Sequence, residues 1–197
     1  MNKMDQLRIK LMRKLVKTNK DKIIIDVGGG LHQISKNLAS KKTIILDGDP
    51  ALNPDVLVDL NKEIPLKENF ADIIIAGEIL EHLINPFKFI LELKRILKKD
   101  GEIILSTPNI VCLKSRIKVL FGKLPTNCAK AFPTKENTLF FHKVDFNWKS
   151  LEEIFKKAGL KIISKKNTGV FLGGKLIIPP KLCPLKLGEK FILKVKK

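Results

Sequence analysis

Short continuous apolar runs alternate with helix-period patterns along most of the chain. The runs lie at 22–27, 43–47, 55–59 (DVLVD), 72–76 (DIIIA) and 102–106 (EIILS). Because they do not alternate with polar residues, they predict strands of a parallel sheet covered on both faces, with crossover helices between them. One such helix is predicted over 86–98, closed by Gly101. A second follows the long segment 110–141, with Ser150 and Glu153 as its capping box and Gly159 as its stop. Two further runs, LKIIS at 160–164 and KFILKV at 190–195, bring the strands to seven, the last two joined by a connector without a helix. At the start, Leu7, Leu11 and Leu15 with Met12 and Val16 recur at helical spacing over 5–17, and basic residues occupy the rest of the surface. This amphipathic helix reads either as a leader packed beside a ligand crevice or as a membrane-surface anchor, although it lacks aromatic anchors.

A chain of 197 residues that is 44% hydrophobic suits one domain with a continuous core. The expected division is an N-terminal helix at 1–20 and a single domain at 21–197, with a lid-like insertion at about 110–141. No run reaches the 18 or so apolar residues of a membrane span, and charges break residues 1–20 too often for a signal peptide, so a cytoplasmic protein is expected. Cys112, Cys128 and Cys183 share no metal-ligand spacing and are odd in number. The net charge of +18 invites an anionic partner, yet only Arg8, Arg13, Arg95 and Arg116 are arginines. Arginine is the residue suited to bidentate phosphate and base recognition, so a solvated lysine surface competes with the nucleic-acid reading.

IIIDVGGG at 23–30 followed by TIILDGD at 43–49 adds candidate chemistry. A strand running into a glycine-rich turn and a short helical stretch brings backbone N–H groups and a helix N-terminus to a ligand. An acid about 20 residues on can accept from ribose hydroxyls. An adenosine-type cofactor fits this layout. A dinucleotide fingerprint from Gly28 would need glycine at 33, where Gln33 stands, so NAD is the weaker reading.

Asp26, Gly28 and Gly30 match the first motif of class I S-adenosylmethionine (SAM)-dependent methyltransferases, with His32 in place of the motif's last glycine. NPDVLVDLNKEIPLKENFADIIIAGEILEHL resembles the family's middle section, and STPNIVCLKSRIKVLFGKLP at 106–125 resembles the segment after the fifth strand in type 11 members. The resemblance covers about 20–165. It implies a Rossmann-like α/β fold of seven strands with the last antiparallel and helices on both faces. It implies SAM as cofactor, with Asp26, Gly28 and Gly30 at the methionine portion, Asp47 at the ribose with Asp49 as its rival, Asp59 and Leu60 at the adenine, and Glu78 beside the reacting centre.

For catalysis the resemblance points to His82 and Glu78. Glu78, Glu81 and His82 form E-x-x-E-H, similar to the metal cluster of two class I branches, the ubiquinone O-methyltransferases and the small-RNA 3′-end 2′-O-methyltransferases, and His142 could complete it. The same letters occur in metal-free relatives, and no divalent metal is expected. Asn109, Arg116, Phe121, Phe141 and His142 are the expected substrate-lid residues, with Phe140 and Trp148 near the same mouth. AGEILEHL is not the proline-rich motif of amine methylation, and no cysteine is placed as a pyrimidine nucleophile. The expectation is therefore O-methylation of a small molecule, sugar or lipid-linked precursor. Its alternatives are an RNA methyltransferase that uses the basic surface and a non-catalytic cofactor-binding partner subunit. Oligomeric state is left open.

Overall fold

The computed structural model describes residues 1–29, 33–126, 128 and 142–197. Seven strands join in one sheet of order β3-β2-β1-β4-β5-β9-β6: β1 (Ile23–Val27), β2 (Lys42–Asp47), β3 (Val56–Leu57), β4 (Ala71–Gly77), β5 (Leu97–Pro108), β6 (Lys161–Asn167) and β9 (Lys190–Lys196). All neighbours are parallel except β9, which runs antiparallel to both β5 and β6. The expected architecture is present. β7 (Val170–Leu172) and β8 (Lys175–Ile178) form a separate hairpin within the connector before β9, an element the sequence pattern did not announce.

The central strands carry continuous apolar runs because successive side chains enter different cores. Ile25, Val27, Ile74, Ala76, Ile103 and Leu105 face α2 (Pro86–Ile96) and α4 (Trp148–Lys157), which contribute Phe89, Ile90, Leu93, Leu151 and Phe155. Ile24, Ile73, Ile75, Ile104 and Ile192 face α1 (Lys3–Arg13), through Ile9 and Met12. Burial of its apolar side here replaces the membrane-anchor alternative for this helix.

Several local expectations are corrected. No helix follows the glycine loop among the described residues: 33–40 are turns, and Asn37 is left-handed at φ 64°. Only a dozen or so residues separate β1 from β2, too few for a return path with a helix of ordinary length. Arg13 of α1 binds this segment instead, its Nε donating to the Ile34 carbonyl (2.9 Å) and Nη2 to that of Gln33 (3.0 Å). α2 ends at Ile96 rather than 98, and β5 begins at once with Leu97. Gly101 is therefore not a helix stop. It lies where the β4–β5 register jumps, and a Cβ there would come within 2.5 Å of Leu97 Cδ1. α4 starts three residues before the expected box: Asn147 caps it and exchanges hydrogen bonds with Ser150, leaving Glu153 to pair with Lys157 in solvent. Gly159 does follow its last turn, at φ +68°. β3 is two residues long, not five.

Candidate active site

β1 is flanked by β2 on one side and β4 on the other, so the crossovers diverge there and leave a crevice at the carboxyl ends of the strands. Its volume is about 740 Å³, within the range of small-molecule pockets. Asp26, Gly28, Asp47, Asp49, Asp59, Leu60, Glu78, Glu81, His82 and His142 all line it. Gly30 and His32 lie outside the described residues.

The glycine turn is built by contact. Gly28 is left-handed (φ +67°), and a Cβ on it would overlap Ile79, so only glycine lets the turn lie against the loop after β4. Asp26 is 1% exposed and accepts from the Ser35 N–H (2.9 Å). Burial raises its pKa, opposed by the hydrogen bonds from Ser35 and Ile34. At the end of β2, Asp47 Oδ1 accepts from the Asp49 N–H (3.1 Å), while Asp49 caps the turn Pro50–Leu52 through Ala51 N–H. Asp49 is thus engaged in local structure. Asp59 is exposed and held below the ordinary aspartate pKa, chiefly by the Asn61 N–H and then by its side-chain amide.

The loop after β4 carries the densest chemistry. Glu78 is left-handed at φ 60°, an uncommon conformation for a side-chain-bearing residue. Its Oε1 accepts from Ser106 Oγ (2.9 Å) and its Oε2 from Lys190 Nζ (2.6 Å), which also reaches Asp5 Oδ1 (2.9 Å). Burial pulls the Lys190 pKa down, yet the charges and hydrogen bonds of Glu78 and Asp5 raise it overall. Arg8 donates to Ser106 Oγ (3.2 Å) from the same side. Asp5, Arg8 and Lys190 line the crevice and were missed in the sequence. The signal available was the i, i+3, i+7 stripe Asp5, Arg8, Met12.

Glu81, 2% exposed, accepts from Thr107 Oγ1 (2.9 Å) through Oε2, while Oε1 has no hydrogen-bond donor and lies 4.0 Å from His82 Nε2. Burial first, then the neighbouring charge of Glu78, raises its pKa well above the usual glutamate value. The His82 and His142 rings meet edge to face, centroids 5.1 Å apart. Ligand atoms of Glu81, His82 and His142 lie within 4.8 Å of one another; Glu78 is not part of that group and is taken by Lys190.

Of the described lid candidates, His142 lines the crevice and three others do not. Asn109 is buried, donating to the carbonyls of Lys186 (3.0 Å) and Gly188 (2.9 Å). Arg116 Nε donates to the Val111 carbonyl, and Phe121 is 76% exposed just after α3 (Leu113–Leu120). None of the three lines the crevice. Phe140 and Phe141 lie outside the described residues, and Trp148 packs on Phe191.

A seven-stranded sheet of this order with an acid-and-glycine crevice at its switch point defines a Rossmann-like nucleoside-binding enzyme fold. Residues 3–165 match the family described as a methyltransferase domain, and the chain belongs to that family of class I SAM-dependent methyltransferases, whose cofactor is SAM. A Mycolicibacterium smegmatis protein named "Probable S-adenosylmethionine-dependent methyltransferase" is 27% identical over 115 residues, 58% of this chain. The match covers 37% of that relative's length. Among solved structures, a SAM-dependent methyltransferase from Archaeoglobus fulgidus superposes with TM-score 0.67 at 17% identity, over 98% of this chain and 94% of that one. One from Thermotoga maritima gives 0.66 at 18%, over 98% and 89%. At these identities the structures speak for the fold alone. No helix among the described residues is long and apolar enough to cross a membrane.

Proposed function

We propose that the protein transfers the methyl group of SAM to an oxygen of a small acceptor: a phenol, a sugar or a lipid-linked precursor. The observation that carries this reading is the convergence of Asp26, Gly28, Asp47, Asp59 and Leu60, in the family's order, on one crevice. In it Asp47 accepts from the ribose hydroxyls, Asp59 and Leu60 meet the edge and face of the adenine, and the Gly28 backbone with Asp26 holds the methionine portion. SAM supplies a methyl group that is already activated. What the chain must add is alignment of the acceptor and removal of its proton. His82, beside His142 at the crevice wall, is the base in this reading. Glu81, its pKa raised by burial, stands behind it, and Glu78, fixed by Ser106 and Lys190, shapes the wall next to Ile79.

The test combines calorimetry with S-adenosylhomocysteine and transfer of radiolabel from SAM into small-molecule and lipid extracts or into total RNA. Expected are heat on nucleoside binding, label in the extracts, and a His82→Ala variant that binds the nucleoside normally but turns over slowly. Label in RNA that falls with salt would replace the small acceptor with a nucleic acid. Binding without transfer to any acceptor would favour the non-catalytic partner subunit.

A further inference from the structure

α3 is amphipathic the wrong way round for a packed helix. Its one fully buried residue is Ser115, whose Oγ contacts Cys112 Sγ (3.3 Å) and accepts from the Thr126 N–H (3.1 Å). At about 3.6 residues per turn, Leu113, Ile117, Leu120 and Phe121 fall on the side opposite Ser115. Leu120 is 82% exposed and Phe121 76%, and Leu124 continues the stripe at 74%. On the same helical projection Arg116 flanks the stripe on one side and Lys118 on the other, beside Lys114, whose ammonium lies 3.8 Å from the buried Glu189 carboxylate.

A second apolar projection emerges beside it. The β7–β8 hairpin and the turn after it expose Leu172 (66%), Ile177 (56%) and Leu182 (76%), interspersed with Lys175 and Lys181. Both projections leave the same corner of the sheet. Pro108, at the end of β5, pairs with Lys190 at the start of β9, and Asn167, at the end of β6, pairs with Phe191. The Asn109 amide ties the start of one projection to the end of the other through the Lys186 and Gly188 carbonyls. At the foot of α3, Val111, Arg116, Trp148, Lys149 and Lys186 border a second cavity of about 170 Å³. The chain carries no acid between Glu102 and Glu136 or between Glu153 and Glu189. Lys190 carries this corner directly into the crevice.

We propose that this corner docks on an anionic lipid bilayer, with the α3 stripe and the hairpin tip entering the headgroup region and the flanking lysines reaching lipid phosphates. Apolar tips ringed by cations with long apolar stems are what such a surface selects, since the stems can lie along the acyl boundary while the ammonium groups stay wet. Nucleic acid fits less well, because among these exposed apolar side chains only Phe121 offers a stacking plane and the cations are mostly lysines. A second copy of the chain fits less well too, because a two-fold contact would set this acid-free surface against itself. The proposal concerns where the protein works, and it stands or falls independently of the acceptor oxygen assigned above.

The experiment is co-sedimentation of the full chain with vesicles of phosphatidylcholine alone and with vesicles also containing phosphatidylglycerol, at low and high salt. The expected result is pelleting with the anionic vesicles, weakened by salt, and little with the neutral ones. Leu120→Asp/Leu124→Asp and Leu172→Asp/Leu182→Asp are each expected to lower the apparent vesicle affinity at least tenfold. Calorimetry with S-adenosylhomocysteine confirms that each variant is folded. Wild-type protein that stays in the supernatant, or that binds neutral and anionic vesicles equally, would overturn the proposal. So would a stable dimer in light scattering that Leu120→Asp/Leu124→Asp dissolves, or RNA binding lost through the same substitutions without any vesicle binding.

Discussion

Lys190 Nζ lies 2.6 Å from Glu78 Oε2, and this pair links the last strand of the sheet to the loop that follows its fourth. The lysine side chain is 9% exposed, so its charge is compensated by Glu78 and, from α1, by Asp5 rather than by water. Breaking a buried pair by removing one partner leaves the other desolvated and alone, at a cost of about 3–5 kcal/mol. Lys190→Met is expected to lose stability of that order in chemical denaturation, and Lys190→Met/Glu78→Gln to recover part of it. Because the folded pKa of Lys190 is raised, its contribution is complete below the unfolded lysine value of about 10.4 and fades as pH climbs through the higher folded value. Stability of the wild type, but not of the double variant, should show that alkaline decline.

Asp47 is the expected anchor for the ribose, while Asp49 caps its own turn. Loss of charge-assisted hydrogen bonds should make Asp47→Ala bind S-adenosylhomocysteine about 1–3 kcal/mol more weakly. Asp49→Ala should mainly lower the melting temperature. Calorimetry and thermal denaturation of the two variants separate these roles, and the reverse pattern would assign the ribose to Asp49.

Glu81 has the opposite electrostatics to an ordinary surface glutamate. Its folded pKa is raised by burial and by Glu78, so its contribution to stability is fully present below the unfolded glutamate value, about 4.3, and is lost as pH rises toward the folded one. Glu81→Gln keeps the neutral shape without the titration. It should match the wild type in acid and exceed it at neutral and higher pH, as read from denaturation midpoints across pH.

Methyl transfer is expected to survive EDTA. Lys190 already balances Glu78, and burial, by raising the Glu81 pKa, works against the carboxylate that a cation would need as a ligand. Activity lost on chelation and restored by Mg or Mn, together with inactivity of Glu81→Ala, would make Glu81, His82 and His142 ligands.

The sheet was legible because each strand is a dense apolar run with its own boundary signals, and the crevice because Asp26, Gly28, Asp47 and Asp59 end or follow those runs. What failed to show was direction and partnership. The sequence marked Arg116 and Phe121 as lid residues but not the side they would face; Phe121 points to solvent. Lys190 had no distinguishing mark in a lysine-rich chain, since its burial follows from β9 sliding between β5 and β6. The segment after the glycine loop was expected to be helical by analogy of layout, whereas its short span and the left-handed Asn37 make it a series of turns held by Arg13.

The clasp between Asp5 and Lys190 spans 185 residues of chain. On a ribosome adding about 5–20 residues per second, Asp5 is made roughly 10–40 s before its partner. During that interval α1 has no β9 to rest on and Glu78 lacks Lys190, so the nucleoside crevice is finished only when β9 emerges. Nascent chains released before residue 190 should therefore be poor cofactor binders, however complete their glycine loop.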